Sequence, residues 1–147
     1  MGTTMHAHIE VRRNGTWFHY SAPNMDRDYE IHALCGDTMR IKNGPYAQRR
    51  AGVTMASLPA DASVVTKIAY EEDKELNHLR CVTVLNAMAI LDLQRALHEL
   101  RRGEYDLKTG FRADDLEETV FHTYIASNAI VDCKGWDDVR IICWFEN

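Results

Sequence analysis

A chain of 147 residues with 22 acidic against 17 basic side chains has a formal net charge of −5, which argues against general nucleic-acid or anionic-membrane binding, since that needs a basic balance, and leaves room for a local basic patch. With 46% hydrophobic and 27% charged residues, three prolines and eight glycines, it is neither disordered nor collagen-like, and residues 1–147 are long enough for a single domain with its own core. It opens on no apolar signal core and contains no apolar run of membrane-spanning length, so a cytoplasmic location is expected.

Residues 6–12 alternate. Ala7, Ile9 and Val11 point one way, and His6, His8, Glu10 and Arg12 the other. Asn14-Gly15 follows, then a second short run over 16–21. An Asn-Gly between two such runs specifies a tight hairpin, because both central turn residues need positive φ. A two-residue loop pairs Arg13 with Thr16, Val11 with Phe18, Glu10 with His19 and Ile9 with Tyr20. The dry face is then Ala7, Ile9, Val11, Phe18 and Tyr20. The wet face holds His6, His8, Glu10, Arg12, Trp17, His19 and Ser21.

Asp26 or Asp28 can cap a short helix through Ile31 and Leu34 to Cys35, stopped by Gly36. Residues 37–60 read as a long irregular loop with Gly44-Pro45 and Pro59. Ser63 starts a second short helix with Val64, Val65, Ile68 and Ala69 inward, followed by an acidic connector over Glu71–Glu75 that reads as a solvated turn. The apolar stripe Leu85, Ala89, Leu93, Ala96, Leu97 and Leu100 predicts the main helix over 83–102, ended by Gly103. Asp114 with Glu117 resembles a capping box for a fourth helix through Leu116, Val120, Phe121, Tyr124 and Ile125. The tail DDVRIICWFEN alternates with apolar residues on both sides, as in a well-buried strand. The expected fold is α+β: a small antiparallel sheet, made of the N-terminal hairpin and the C-terminal strand, packed against about four helices.

Two places could carry chemistry. His6 and His8 project from the same strand face, and the hairpin register sets Glu10 and His19 beside them. Imidazoles with a carboxylate form a competent first shell for a divalent metal such as zinc or manganese. The competing reading is an ordinary solvated hairpin face with a Glu-His cross-strand pair. The second place is the loop from Thr38 to Ala60, where Arg40, Lys42, Arg49 and Arg50 occur with no acidic residue and with Tyr46 among them. Guanidinium groups bind phosphate oxygens in pairs and a tyrosine face can stack a base, so a small anionic or nucleotide ligand, or an acidic protein surface, fits that patch. A charged, solvated loop is the alternative. His32, His98 and His122 each sit alone in a predicted helix and read as surface or boundary residues. No nucleophile elbow, Walker or dinucleotide glycine pattern occurs. Cys35, Cys81, Cys133 and Cys143 are widely spaced, which fits small buried apolar groups rather than a zinc knuckle or disulfide framework.

The stretches HIEVRRNGTWFHY, RDYEIHAL, LPADASVVTKIAYEED, NHLRCVTVLNAMAI and DDVRIICWFEN together resemble, in the same order, an uncharacterised family of small proteins frequent in tailed bacteriophages and prophages. Where that family often opens on Asp-x-His, this chain has His6-x-His8. It retains His78, with Arg80 and Cys81 where the family places further His or Ser, and Val82 where it tends to have Trp. The resemblance implies a phage or prophage product inside a bacterial host cell and transfers no activity. The resulting expectation is an accessory protein, not an enzyme, that acts by binding a host protein or small nucleotide, as in counter-defence. The alternatives are a metal-dependent hydrolase using metal-bound water and a structural homo-oligomeric phage component.

Overall fold

Asn14 (φ 52°) and Gly15 (φ 79°) both take the left-handed backbone that a two-residue hairpin turn requires. Thr4–Arg13 (β1) and Thr16–Ser21 (β2) fold back on each other around them. The computed structural model describes residues 4–23, 32, 34–36, 52–76, 78–92 and 138–146. The observed register has Arg13 opposite Thr16, Val11 opposite Phe18 and Glu10 opposite His19; beyond that a bulge sets Ser21, not Tyr20, opposite Ile9.

Three more strands complete an antiparallel sheet: Val53–Ala56 (β3), Leu79–Asn86 (β4) and Val139–Glu146 (β5), in the order β2-β1-β5-β4-β3. The central place of β5 follows from its composition. Val139, Ile141, Cys143 and Phe145 feed one face while Ile142 and Trp144 feed the other, and seven of its eight residues are buried, as a strand paired on both edges and covered on both faces must be.

One face of the sheet carries Met5, Ala7, Ile9, Val11, Leu85, Ile141 and Phe145, all buried. Leu34 and Cys35 are buried with them, and the Cys143 thiol reaches the carbonyl of Cys35 at 3.4 Å and of Thr83 at 3.6 Å. Burial, with the neighbouring Cys35 thiol, raises the Cys143 pKa well above its ordinary value, so this sulfur is a neutral core group. The other face is covered by the helix Val64–Leu76 (α1), where Ala62, Val82, Ile142 and Trp144 form a cluster joined by Leu58, Ala69, Tyr70, Leu79 and Val84. A short helix, Ala87–Leu91 (α2), continues β4; the Asn86 side chain caps it by accepting from the Ala89 N–H at 3.1 Å. Among the described residues no helix is long and apolar enough to cross a membrane.

Several expectations are corrected. The sheet has five strands rather than three, and the described residues hold two helices rather than about four. Residues 79–86, whose second half opened the expected main helix, are instead β4. The β-branched run Val82-Thr83-Val84 pairs along β5, and that pairing outweighs the helical spacing of Leu85 and Ala89. Part of the expected irregular loop is the edge strand β3. The acidic run Glu71–Glu75 is helical, a continuation of α1 through good helix formers. That helix is also rotated from expectation: Thr66 is buried, and Ala69 and Tyr70 pack on the sheet, while Val64, Val65 and Ile68 are exposed. Phe18, expected inside, is 52% exposed on the edge strand β2. His32, expected at the surface or its boundary, is fully buried beside Phe145, with ring centroids 5.8 Å apart. The expected helix after Asp114 and the continuation past Asp92 lie outside the described residues.

Gly52 meets two constraints at once. Its φ is +81°, and an added Cβ would lie 2.2 Å from Asn86 Oδ1, the atom that caps α2. Gly52→Ala is therefore expected to cost about 1–3 kcal/mol in a urea denaturation series, with the β3–β4 edge losing hydrogen-exchange protection first.

Candidate metal centre

The alternation of β1 sends His6, His8 and Glu10 to the face that α1 covers, and each meets a different environment. Glu10 is fully buried. Its Oε1 lies 2.9 Å from both Nε and Nη2 of Arg140, while its Oε2 accepts from the Ser63 N–H and the Thr66 hydroxyl, each at 2.8 Å. Arg140 reaches Asp61 with Nη1 at 2.9 Å and lies 4.0 Å from the centroid of the Trp17 ring. Ser63 in turn accepts from the Thr66 N–H at 3.2 Å. The Glu10 carboxylate is thus the anchor of the α1 N-terminus, its oxygens engaged by a guanidinium and two donors.

His8 is buried, and its Nδ1 lies 3.0 Å from His19 Nε2 across the hairpin. Its ring stacks on Trp144 at 4.9 Å between centroids. Burial first, then the neighbouring His19 and His6, lower the His8 pKa to about 4 against the opposing pull of Asp73 and Glu10. Burial lowers that of His19 as well. Both imidazoles are therefore neutral at pH 7, and one shares a proton with the other.

His6 sits at the open end of the same row, between two carboxylates. Its Nδ1 is 3.4 Å from Asp73 Oδ2 on α1, and its Nε2 is 3.2 Å from Glu146 Oε2 at the end of β5. Asp73 Oδ2 also accepts from the Trp144 indole N–H at 2.9 Å. One ligand atom from each of His6, Asp73 and Glu146 falls within 4.8 Å of the others, the one such grouping among the described residues. Beside it opens a cleft of about 370 Å³, lined by Thr4 to His8 of β1, Ala22 and Pro23 after β2, and Ala69, Glu72 and Asp73 of α1.

Of the expected metal set, His8 and His19 come together, His6 joins a separate cluster, and Glu10 turns to Arg140. The face itself is covered by a helix rather than solvated. Asp73, Glu146 and Trp144 enter the site without having been read from the sequence. The spacing Thr66-Tyr70-Asp73 marks one side of a helix and could have placed Asp73. Trp144 stands directly opposite His6 once β5 is paired with β1. Arg40, Lys42, Tyr46, Arg49 and Arg50 lie outside the described residues. A scan against protein-family models, a search of curated proteins and a search of solved structures each found no match.

Proposed function

We propose that this is a phage or prophage accessory protein that works by binding, and that its His6–Asp73–Glu146 cluster holds a divalent metal ion, zinc or manganese. The phage setting rests on the sequence resemblance alone. The metal reading rests on one observation: an imidazole nitrogen and two carboxylate oxygens, groups that ligate these ions or orient their ligands, lie within 4.8 Å of one another beside a cleft. Charge points the same way. The described cleft lining carries Glu72 and Asp73 and no Lys or Arg, so a dication lowers the local repulsion while an anionic nucleotide would raise it. A nucleotide or acidic partner belongs instead to the basic loop, where Arg49→Ala with Arg50→Ala should abolish capture of such a ligand from a host extract.

The test of the metal reading is calorimetric. The chelator-stripped chain, titrated with zinc and with manganese, should show one saturable site at micromolar metal, absent in His6→Ala. No saturable heat with either metal contradicts the reading. The cleft favours a second reading, a metal-dependent hydrolase in which the ion activates water. Zinc-dependent turnover of bis(p-nitrophenyl) phosphate, lost in Glu146→Gln, would support it; equal background rates in both proteins would remove it.

A further inference from the structure

Building on the metal reading above, we propose that Asp73 is an outer carboxylate that turns His6 toward the ion rather than a ligand itself, and that Trp144 is the positioning residue that fixes Asp73. The ion is then held by His6 Nε2 and Glu146 Oε2, with its remaining positions open to water or to a ligand in the cleft.

An indole N–H can only donate, so the oxygen it meets must accept. That oxygen, Asp73 Oδ2, is 2.9 Å from Trp144 Nε1 and also the one nearest His6 Nδ1, at 3.4 Å. In the arrangement proposed, the ring proton sits on Nδ1 and faces this oxygen, which can accept from the imidazole as well as from the indole. His6 Nε2 is then an acceptor lying 3.2 Å from a second acceptor, Glu146 Oε2. Both atoms are closed to solvent and neither makes a hydrogen bond. A cation between them removes the conflict. Zinc at its usual distances from nitrogen and oxygen, in tetrahedral geometry, sets those two atoms roughly 3.3–3.5 Å apart, close to the separation already present. A histidine ligand whose other nitrogen donates to a carboxylate is the common arrangement around protein-bound zinc. Trp144 is fully buried against Val82 and Ile142, so its indole fixes Asp73 from a rigid support.

The experiment combines zinc affinity with nitrogen-15 NMR of the His6 ring. In the zinc-loaded chain, Nδ1 should carry the proton and Nε2 the metal. Asp73→Asn and Trp144→Phe should each weaken zinc binding by about 10–100-fold, whereas Glu146→Gln and His6→Ala should bind none. If Trp144→Phe does not fold, the Asp73→Asn affinity and the wild-type ring signals decide the matter. Zinc on Nδ1, protons on both ring nitrogens in the loaded protein, or loss of binding in Asp73→Asn as complete as in Glu146→Gln would each overturn the assignment. Unchanged affinity in the folded variants overturns this inference alone. Absence of zinc binding by the wild-type chain overturns the metal reading and this inference together.

Discussion

Glu10→Ala is expected to cost about 3–5 kcal/mol of folding free energy, the range for removing one partner of a buried ion pair. The loss has three parts. Arg140, 10% exposed in its side chain, keeps its charge without its buried carboxylate. The Ser63 N–H and the Thr66 hydroxyl lose their common acceptor. The N-terminus of α1 then loses its tie to β1, and the helix covers the histidine face less firmly. Urea denaturation reads the total, and hydrogen exchange should show α1 losing protection beyond the global change. Asp61→Ala touches the same guanidinium but from an exposed position (65% for the side chain), so it should cost about 1 kcal/mol or less. Equal, small losses in both variants would show that Glu10 does not anchor the helix.

The second large effect is a loss of stability in acid that runs through His8. In the unfolded chain this imidazole takes up a proton near its ordinary value of 6.5; in the folded chain burial and His19 delay that until about pH 4. Between those values the unfolded state binds more protons, so stability falls as the pH is lowered through the window and is flat above it. His19, also held below its ordinary value by burial, acts in the same direction. The combined loss should be about 1–3 kcal/mol, reduced from the full linkage value because His19 is partly exposed. His8→Phe keeps a ring against Trp144 and removes the titrating group, so its stability should change less between about pH 7 and pH 4.5 than that of the wild type. A parallel decline in the two proteins would place the acid sensitivity elsewhere.

The parts of the fold that local chemistry specifies were legible in the sequence. Asn14-Gly15 admits few turns, and the strict alternation from His6 to Arg12 sets which side chains share a face. The apolar character on both sides of the tail set β5 apart as a buried strand. What stayed hidden depends on partners far along the chain. Val82 to Leu85 suits a strand or the start of a helix until β5 is beside it. Val53–Ala56 is too short to announce itself and becomes a strand only by pairing with β4. The rotation of α1 was misread because Val64, Val65 and Ile68 are the more apolar residues, yet polar contacts decide: Glu10 fixes Thr66, and Trp144 fixes Asp73. The same reason explains the site. The histidine row was visible on β1, but its carboxylates come from the far end of α1 and the last residue of β5, and Glu10, the carboxylate nearest in sequence, is consumed by Arg140.

The most direct test is anomalous diffraction at the zinc edge from crystals of the purified chain grown with zinc. A single strong peak is expected between His6 Nε2 and Glu146 Oε2, with Asp73 hydrogen-bonded behind the imidazole. A peak between His8 and His19 instead, or crystals whose His6 imidazole stays clamped between the two carboxylates without metal at saturating zinc, would contradict it.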